Sequence, residues 1–244
     1  IAVITGGGTG MGRELARQLS ADGCHVAMCD VSAENMEETV ELCLQDAPAG
    51  TRITTFVADV SSEAALVGFA AHVREQHQTE HINLLFNNAG IGGGGSFLND
   101  GREEWETTFN VCWGGVYLGC RVFMPMLVAS DEGHVINTSS VNGFWASLGP
   151  NISHTAYSAA KFAVKGFTEA LITDLRHNAP HVKASVVMPG HIGTSIAINS
   201  GKYFGREPKE MTSEQLQSVR ERLGKRGLDV SGASDDDLRV GMQM

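Results

Sequence analysis

IAVITGGGTGMGRELARQLSADG, residues 1–23, is the stretch that decides the architecture. Ile1 to Ile4 is a short apolar run that reads as a buried strand, and Glu14 to Ala21 has helical character. Between them stands TGGGTGMG, residues 5–12, so a strand passes into a helix through a loop built mostly of glycine. Asp22-Gly23 closes the helix, because glycine takes the left-handed conformation that helix ends favour. Glycines in such a loop let the backbone turn tightly and come close to a phosphate. The helix then offers free N–H groups and a partial positive charge to that phosphate. Glycines at 6, 10 and 12 give the spacing GxxxGxG rather than GxGxxG. Alone, the loop therefore also admits a flexible turn or an S-adenosylmethionine site.

The same alternation continues down the chain. Apolar runs at His25–Cys29, Ile53–Val57, Ile82–Phe86, His134–Thr138 and Val182–Val187 read as strands. Helical segments separate them: one capped by Ser32, one from Ser62 to about Gln78, a long zone from Arg102 to Val128 that closes around Pro125, and one from about Ala156 to 178. Strands alternating with helices imply βαβ units, and right-handed crossovers place helices on both faces of a parallel sheet. The expected fold is α/β: a single-domain, doubly wound Rossmann arrangement. Residues 1–194 form the dinucleotide-binding and catalytic domain, and residues 195–244 a substrate lid and C-terminal extension of that domain. MTSEQLQSVRERL at 211–223 is helical within this extension, and Asp235 to Asp237 form an acidic cluster. Ligands of such sheets bind beyond the carboxyl ends of the strands. Gly6 to Gly12, Asp30, Asp59, Asn87, Ser139, Ser140 and Pro189-Gly190 all follow strands.

Composition excludes several functions. A net charge of -10 argues against nucleic acid and against an anionic membrane surface as partners. Five cysteines without CxxC spacing argue against a disulfide framework or a zinc site, and a cytoplasmic, reducing location is expected. The nine histidines form no metal pattern, and His77 with His81 reads as a solvated helix end. No run of about 18 apolar residues spans a membrane, and no signal peptide is visible. Because the chain opens inside an apolar run and stops in mid-pattern at LRVGMQM, both ends are expected to be cut edges.

Asp30 ends the second strand, 18 residues after Gly12. A carboxylate there accepts hydrogen bonds from both adenosine ribose hydroxyls and repels a 2′-phosphate. No basic residue follows in VSAEN, and Thr9 in the loop is neutral. NAD is expected, with NADP less favoured. The bland alternative is an aspartate that merely caps the next turn.

HTAYSAAKFAVKGF, residues 154–167, places Tyr157 and Lys161 four apart, on one helical face. A free phenol has a pKa of about 10, too high for an efficient base near neutral pH. A neighbouring ammonium favours the phenolate. A buried tyrosine beside a surface lysine is the plain reading of that spacing on its own.

Taken together the motifs resemble the short-chain dehydrogenase/reductase family. TGGGTGMG (5–12), Asp59-Val60, NNAG (87–90), Asn110, the serine of NTSS (137–140), YSAAK (157–161) and PGHIGT (189–194) occur in that family's order. The resemblance covers about residues 1–194 and implies a catalytic tetrad of Asn110, Ser140, Tyr157 and Lys161. Ser140 is chosen over Ser139 because the second serine of the family's pattern is the active one. The resemblance also implies that Gly6, Thr9, Gly10, Met11 and Gly12 shape the pyrophosphate loop. Asp59 and Val60 lie beside the adenine, and Asn87, Ala89 and Gly90 stabilise the sheet and border the adenosine. Pro189, Gly190, Ile192 and Thr194 surround the nicotinamide, and Tyr157 and Lys161 contact the cofactor as well as the chemistry.

The implied activity is hydride transfer between NAD and a secondary alcohol or ketone. Tyr157 is then the general acid/base, Ser140 binds the substrate oxygen, and Asn110 holds a water that connects Lys161 to solvent. A non-catalytic NAD sensor on this fold would normally have lost part of the tetrad, and a methyltransferase would have no use for YSAAK. Ser140 and Tyr157 are 17 apart, more than the family's usual gap, so GFWASLGPNISHTA forms a longer loop over the cleft. Its Phe144, Trp145 and Leu148, with Ile196, Ile198, Tyr203 and Phe204, suit an apolar pocket for a lipophilic small molecule. Ser140, Phe144, Trp145 and Tyr157 are the expected substrate contacts. His191 could also face the cleft. No metal site is expected. The family's final strand and aspartate-glycine-glycine signature are missing. The resemblance also implies a homotetramer through the helices at 102–128 and 156–178, with a homodimer as fallback.

Overall fold

The computed structural model describes residues 1–146, 153–190, 192, 194, 196–205 and 212–225. It divides into two compact units, residues 1–190 and 191–244. The first unit is built on β1 (Ala2–Thr5), β2 (Val26–Asp30), β3 (Ile53–Val57), β4 (Leu84–Asn87), β5 (Gly133–Thr138) and β6 (Val182–Val187). All pairings are parallel, in the order β3-β2-β1-β4-β5-β6. The order reverses between β1 and β4, which makes their carboxyl ends the switch point where such sheets take ligands. The central β1 is buried along its whole length, as its unbroken AVIT demands.

Helices α1 (Gly10–Ala21), α2 (Ala33–Asp46) and α3 (Glu63–His77) follow the first three strands. Ser32 and Ser62 cap α2 and α3, accepting from the N–H groups of Asn35 and Ala65 at 3.2 and 3.3 Å. On one face, Ala16, Met36 and Cys43 of the first two helices pack onto Ile4, Val26 and Met28. On the α3 side, Phe69 meets Phe56 of β3 and Phe123, with ring centroids 5.8 and 5.5 Å apart.

The long zone comprises α4 (Arg102–Phe109), a π-helical turn (Asn110–Gly114) and α5 (Gly115–Val128), with Pro125 in the last turn of α5. By length and composition this run could cross a bilayer. Its contacts are those of a core helix. A Cβ on Gly115 would stand 2.6 Å from Val60, and one on Gly119 would overlap the side-chain oxygen of Asn87. Glycine at the two positions lets α5 lie directly on the β3–α3 connection and on β4. The last helix of this unit, α6 (Thr155–Asn178), packs on β6 and on the π-helical turn.

In the second unit, α7 (Ile196–Tyr203) and α8 (Ser213–Lys225) are helical, the latter over the expected 211–223 segment. Leu148, His191 and the acidic cluster at 235–237 lie outside the described residues.

His77 departs from its reading as part of a solvated helix end. It is 7% exposed, and its Nε2 lies 2.9 Å from the Thr54 hydroxyl. The last turn of α3 leans back over β3, which covers the ring. His81 remains exposed.

Candidate active site

The glycine loop turns away from β1 with Gly6 at φ +69° and Gly10 at φ +56°, values that suit glycine. A Cβ on Gly6 would stand 2.8 Å from the Ala89 Cα, and one on Gly12 would overlap the Gly6 carbonyl. The loop is therefore pressed against NNAG. Asn88 donates from its side chain to the Thr5 carbonyl at 3.1 Å, and the Thr5 hydroxyl accepts from the N–H groups of Asn88 and Ala89 at 3.0 and 3.1 Å. Thr9 is extended at the helix N-cap, but its side chain does not cap α1, and the first turn carries no acid. The head of α1 thus keeps the backbone donors and partial positive charge that suit a pyrophosphate. Met11 follows, half-buried.

Asp30 stands at the end of β2 against this loop. Its two oxygens accept from Gly8 N–H at 3.0 Å and Ser32 N–H at 3.1 Å. At the end of β3, Asp59 accepts from the Ser61 N–H and hydroxyl at 2.8 and 2.7 Å, and Val60 is buried under α5. Asn87 turns away from the loop. Its amide donates to Asn137 Oδ1 at 2.8 Å and lies 3.3 Å from Cys120 Sγ. Asn137 donates in turn to the Thr168 hydroxyl on α6 at 3.0 Å. Burial raises the Cys120 thiol to about 12, so it remains protonated. This buried chain of side chains ties β4, β5, α5 and α6 together.

On α6, Tyr157 is half-buried and Lys161 is 2% exposed, with Nζ 5.5 Å from the centroid of the Tyr157 ring. The ammonium donates to the Thr138 carbonyl at 2.8 Å, at the carboxyl end of β5. Among the described residues that is its one hydrogen-bond acceptor, of the three an ammonium can engage. A Cβ on Gly90 would lie 3.5 Å from this Nζ, so NNAG ends beside the charge.

The two serines after β5 diverge, as successive residues of an extended stretch must. The buried Ser139 hydroxyl donates to the Lys161 carbonyl at 2.7 Å. The Ser140 hydroxyl accepts from Asn142 N–H at 3.2 Å, which leaves its proton for another acceptor. Gly143 lies where any side chain would overlap Ser139 Oγ. Asn110 opens the π-helical turn and is exposed; Trp113, in the same turn, meets Phe167 of α6 edge-on at 5.4 Å. Such π-turns often mark functional positions.

Phe144 and Trp145 are 56% and 64% exposed and meet edge-to-face at 4.9 Å. Asn142 bonds to the Ser158 hydroxyl at 3.3 Å, and that hydroxyl donates to the Ala146 carbonyl at 2.9 Å. The start of the long loop is thereby tied to the residue after Tyr157. Pro189 accepts from Val141 N–H at 3.0 Å, and Gly190 lies nearby, so the end of β6 borders Ser140. Ile192 and Thr194 belong to the second unit, where Thr194 N–H donates to the Ile192 carbonyl at 2.7 Å.

The first unit thus collects the loop glycines, Asp30, Gly90, Ser140, Tyr157 and Lys161 at one edge of the sheet. Its glycine cradle, uncapped helix head and buried ammonium fit a dinucleotide. Sequence reasoning missed Ser139 as a clip on α6, the Asn137–Thr168 link, and Arg13. Arg13 directly follows the last loop glycine. Helical side chains lean toward the N-terminus, which is the signal that it would fold back over the loop.

Comparison with known proteins agrees with this geometry. A family model described as short chain dehydrogenase matches residues 1–203. Levodione reductase from Leifsonia aquatica is 32% identical over 219 residues, 89% of this chain and 79% of that protein. A Burkholderia phymatum short-chain dehydrogenase/reductase crystallised with NAD is 31% identical, with a TM-score of 0.75 over 98% of this chain and 82% of that one. A metagenomic short-chain oxidoreductase crystallised with NADP is also 31% identical, with a TM-score of 0.67 over 78% and 81% of the two chains.

Proposed function

The chain belongs to the short-chain dehydrogenase/reductase family of oxidoreductases, and on that premise we propose that it interconverts a lipophilic secondary alcohol and its ketone with NAD as the preferred cofactor. The observation that carries this reading is the buried Lys161 ammonium 5.5 Å from the Tyr157 ring, on the helix that Ser139 clips beside Ser140.

NAD, when bound, supplies the acceptor for the substrate hydride. The head of α1 with Gly6, Thr9, Gly10, Met11 and Gly12 would hold its pyrophosphate. Asp30 would take the adenosine ribose, while Asp59, Val60, Asn87, Ala89 and Gly90 border the adenosine. Pro189 and Gly190 would flank the nicotinamide. Tyr157 takes the proton from the alcohol oxygen in oxidation and returns it in reduction. The Lys161 charge attracts the negative charge that develops on the phenol oxygen, and its spare donors suit the nicotinamide ribose. Ser140 donates to the substrate oxygen as charge develops there. Asn110 holds the water through which Lys161 exchanges protons with solvent. Phe144 and Trp145 support an apolar substrate, and the name levodione reductase supports a ketone among relatives. Asp30 supports NAD, although NAD and NADP both occur in complexes of similar proteins.

The test is NADH formation across a panel of bulky apolar secondary alcohols, with Tyr157→Phe alongside. Turnover in wild type that collapses in the variant is expected. Equal turnover in both would remove Tyr157 from the chemistry; no turnover in either, with NAD still bound, would favour a sensor.

The proposed setting is the cytoplasm, since all five cysteines are free and four are buried. The proposed assembly is a homotetramer through α5 and α6, where Tyr117 and Phe162 remain exposed. A monomer in light scattering would overturn it, and a dimer would replace it with the smaller assembly.

A further inference from the structure

The reading of Asp30 treats the adenosine end as free of positive charge, yet Arg13 is there. Its Nε and Nη2 donate to the Gly8 carbonyl at 3.1 and 2.8 Å. Nε also lies 3.1 Å from the hydroxyl of fully buried Thr39, which sits 3.0 Å from the same carbonyl. Nη2 meets Glu38 Oε2 at 2.6 Å. On its other side, Gly8 donates its N–H to Asp30. One loop residue therefore carries the Asp30 carboxylate at its nitrogen and a guanidinium at its carbonyl. Across a single residue and two hydrogen bonds, these charges stand within about 10 Å, about the screening length at physiological salt.

A guanidinium at that range is the group that a 2′-phosphate would recruit, because its planar fork matches phosphate oxygens. In this chain the fork is already engaged. The Arg13 side chain is 18% exposed, and Glu38, 59% exposed, takes the second N–H of the same Nη2 that holds the Gly8 carbonyl. With Asp30 and Glu38 against one arginine, the patch is net negative. Glu34, one turn earlier on α2, adds to that sign. The two guanidinium donors on its carbonyl, and Asp30 on its nitrogen, fix the orientation of Gly8.

We propose that the Arg13–Glu38 pair is a charge lock that makes Glu38 a cofactor-specificity residue: it holds Arg13 against the glycine loop and denies it to the 2′-phosphate of NADP. Arg13 is a positioning residue for the loop in the locked state and a latent phosphate ligand when released. This rests on the reading that the loop and Asp30 hold the adenosine half of NAD.

The test is a double-mutant cycle read by nicotinamide fluorescence. Dissociation constants for NADH and NADPH are measured on the full chain for wild type, Glu38→Gln, Arg13→Met and the double variant. Glu38→Gln is expected to shift the NADH-to-NADPH preference toward NADPH by about 5-fold or more, the size of a moderate ion-pair effect. Arg13→Met is expected to weaken NADH and bring no gain in NADPH. In the double variant the gain disappears, because the released arginine is what produced it. A preference unchanged by Glu38→Gln overturns the proposal. So does a gain that persists in the double variant, since Glu38 would then act by repulsion alone. Tighter NADPH binding in wild type would instead sink the NAD reading of Asp30, while the cycle would still report whether Arg13 and Glu38 are coupled.

Discussion

The two halves of the sheet hold their shape by opposite means. From β1 to β3, where the proposed cofactor site lies, the loop's close approach comes from missing side chains, and Arg13 and Asp30 only fix Gly8 within it. Gly6 and Gly12 sit where a Cβ would strike Ala89 or the Gly6 carbonyl. From β4 to β6, where the proposed chemistry lies, precision comes mainly from buried polar side chains bonded to one another. Asn87, Asn137 and Thr168 span three elements, and Ser139 and Lys161 cross-link β5 and α6. A backbone cradle serves a ligand recognised mainly through its phosphates. A proton-transfer site needs fixed side chains, and hydrogen bonds between buried polar groups hold those groups in position.

The contrast breaks first at Tyr157. Replacing it with Phe removes the oxygen that carries the proton while keeping the ring beside Lys161. Activity should fall by about 10²–10⁴-fold with NADH affinity nearly unchanged. A parallel loss of NADH affinity would show that the two halves do not divide binding from chemistry. Next come the neighbouring serines. Ser140→Ala should lower kcat by about 10²–10³-fold if its hydroxyl meets the developing charge. Ser139→Ala should act elsewhere, costing about 1 kcal/mol of stability because the hydrogen bond that clips α6 to the end of β5 is lost. Chemical denaturation beside steady-state kinetics separates the two, and interchanged effects would reverse the assignment.

That pair also shows what the chain made legible in advance. The alternation of apolar runs with helices was enough for the parallel sheet, because each strand and helix carries its own period. The ends of the strands then located Asp30, Ser140 and the loop glycines. Contacts between distant residues were not legible. Nothing in NTSS says that one serine clips α6 and its neighbour does not, since both follow the same strand. His77 read as solvated for the same reason: its cover comes from β3, some twenty residues away in sequence. Arg13 was readable from helix geometry, but its partner Glu38 lies 25 residues on and needed α1 and α2 to be packed.

On the cofactor side, Gly12→Ala places a methyl group against the Gly6 carbonyl. Overpacking of that kind costs about 1–3 kcal/mol. The shift should open the loop and raise the NADH dissociation constant more than it changes kcat at saturating cofactor. An alanine variant that binds NADH as wild type does would mean that the loop yields without loss, and that missing side chains are not what sets it.

The smallest expected effect tests the opposite edge of the sheet, beneath β2 and β3. Burial, and then the charge of Arg52 and the neighbouring His25, push His77 down to about 4. An unfolded imidazole titrates near 6.5. Between those two values the unfolded chain binds a proton that the folded chain refuses, so acid favours unfolding. Stability from this residue is complete at neutral pH and is lost as pH falls through that window, by up to about 2 kcal/mol between pH 7 and pH 5. His77→Gln keeps a polar group near Thr54 but cannot titrate, so its denaturation midpoint should fall less over the same range. Parallel curves for the two proteins would mean that the ring can charge in place, with solvent reaching Nδ1, which has no partner among the described residues. The β1–β3 half would then owe its precision to the glycine loop alone and not to a closed lower edge.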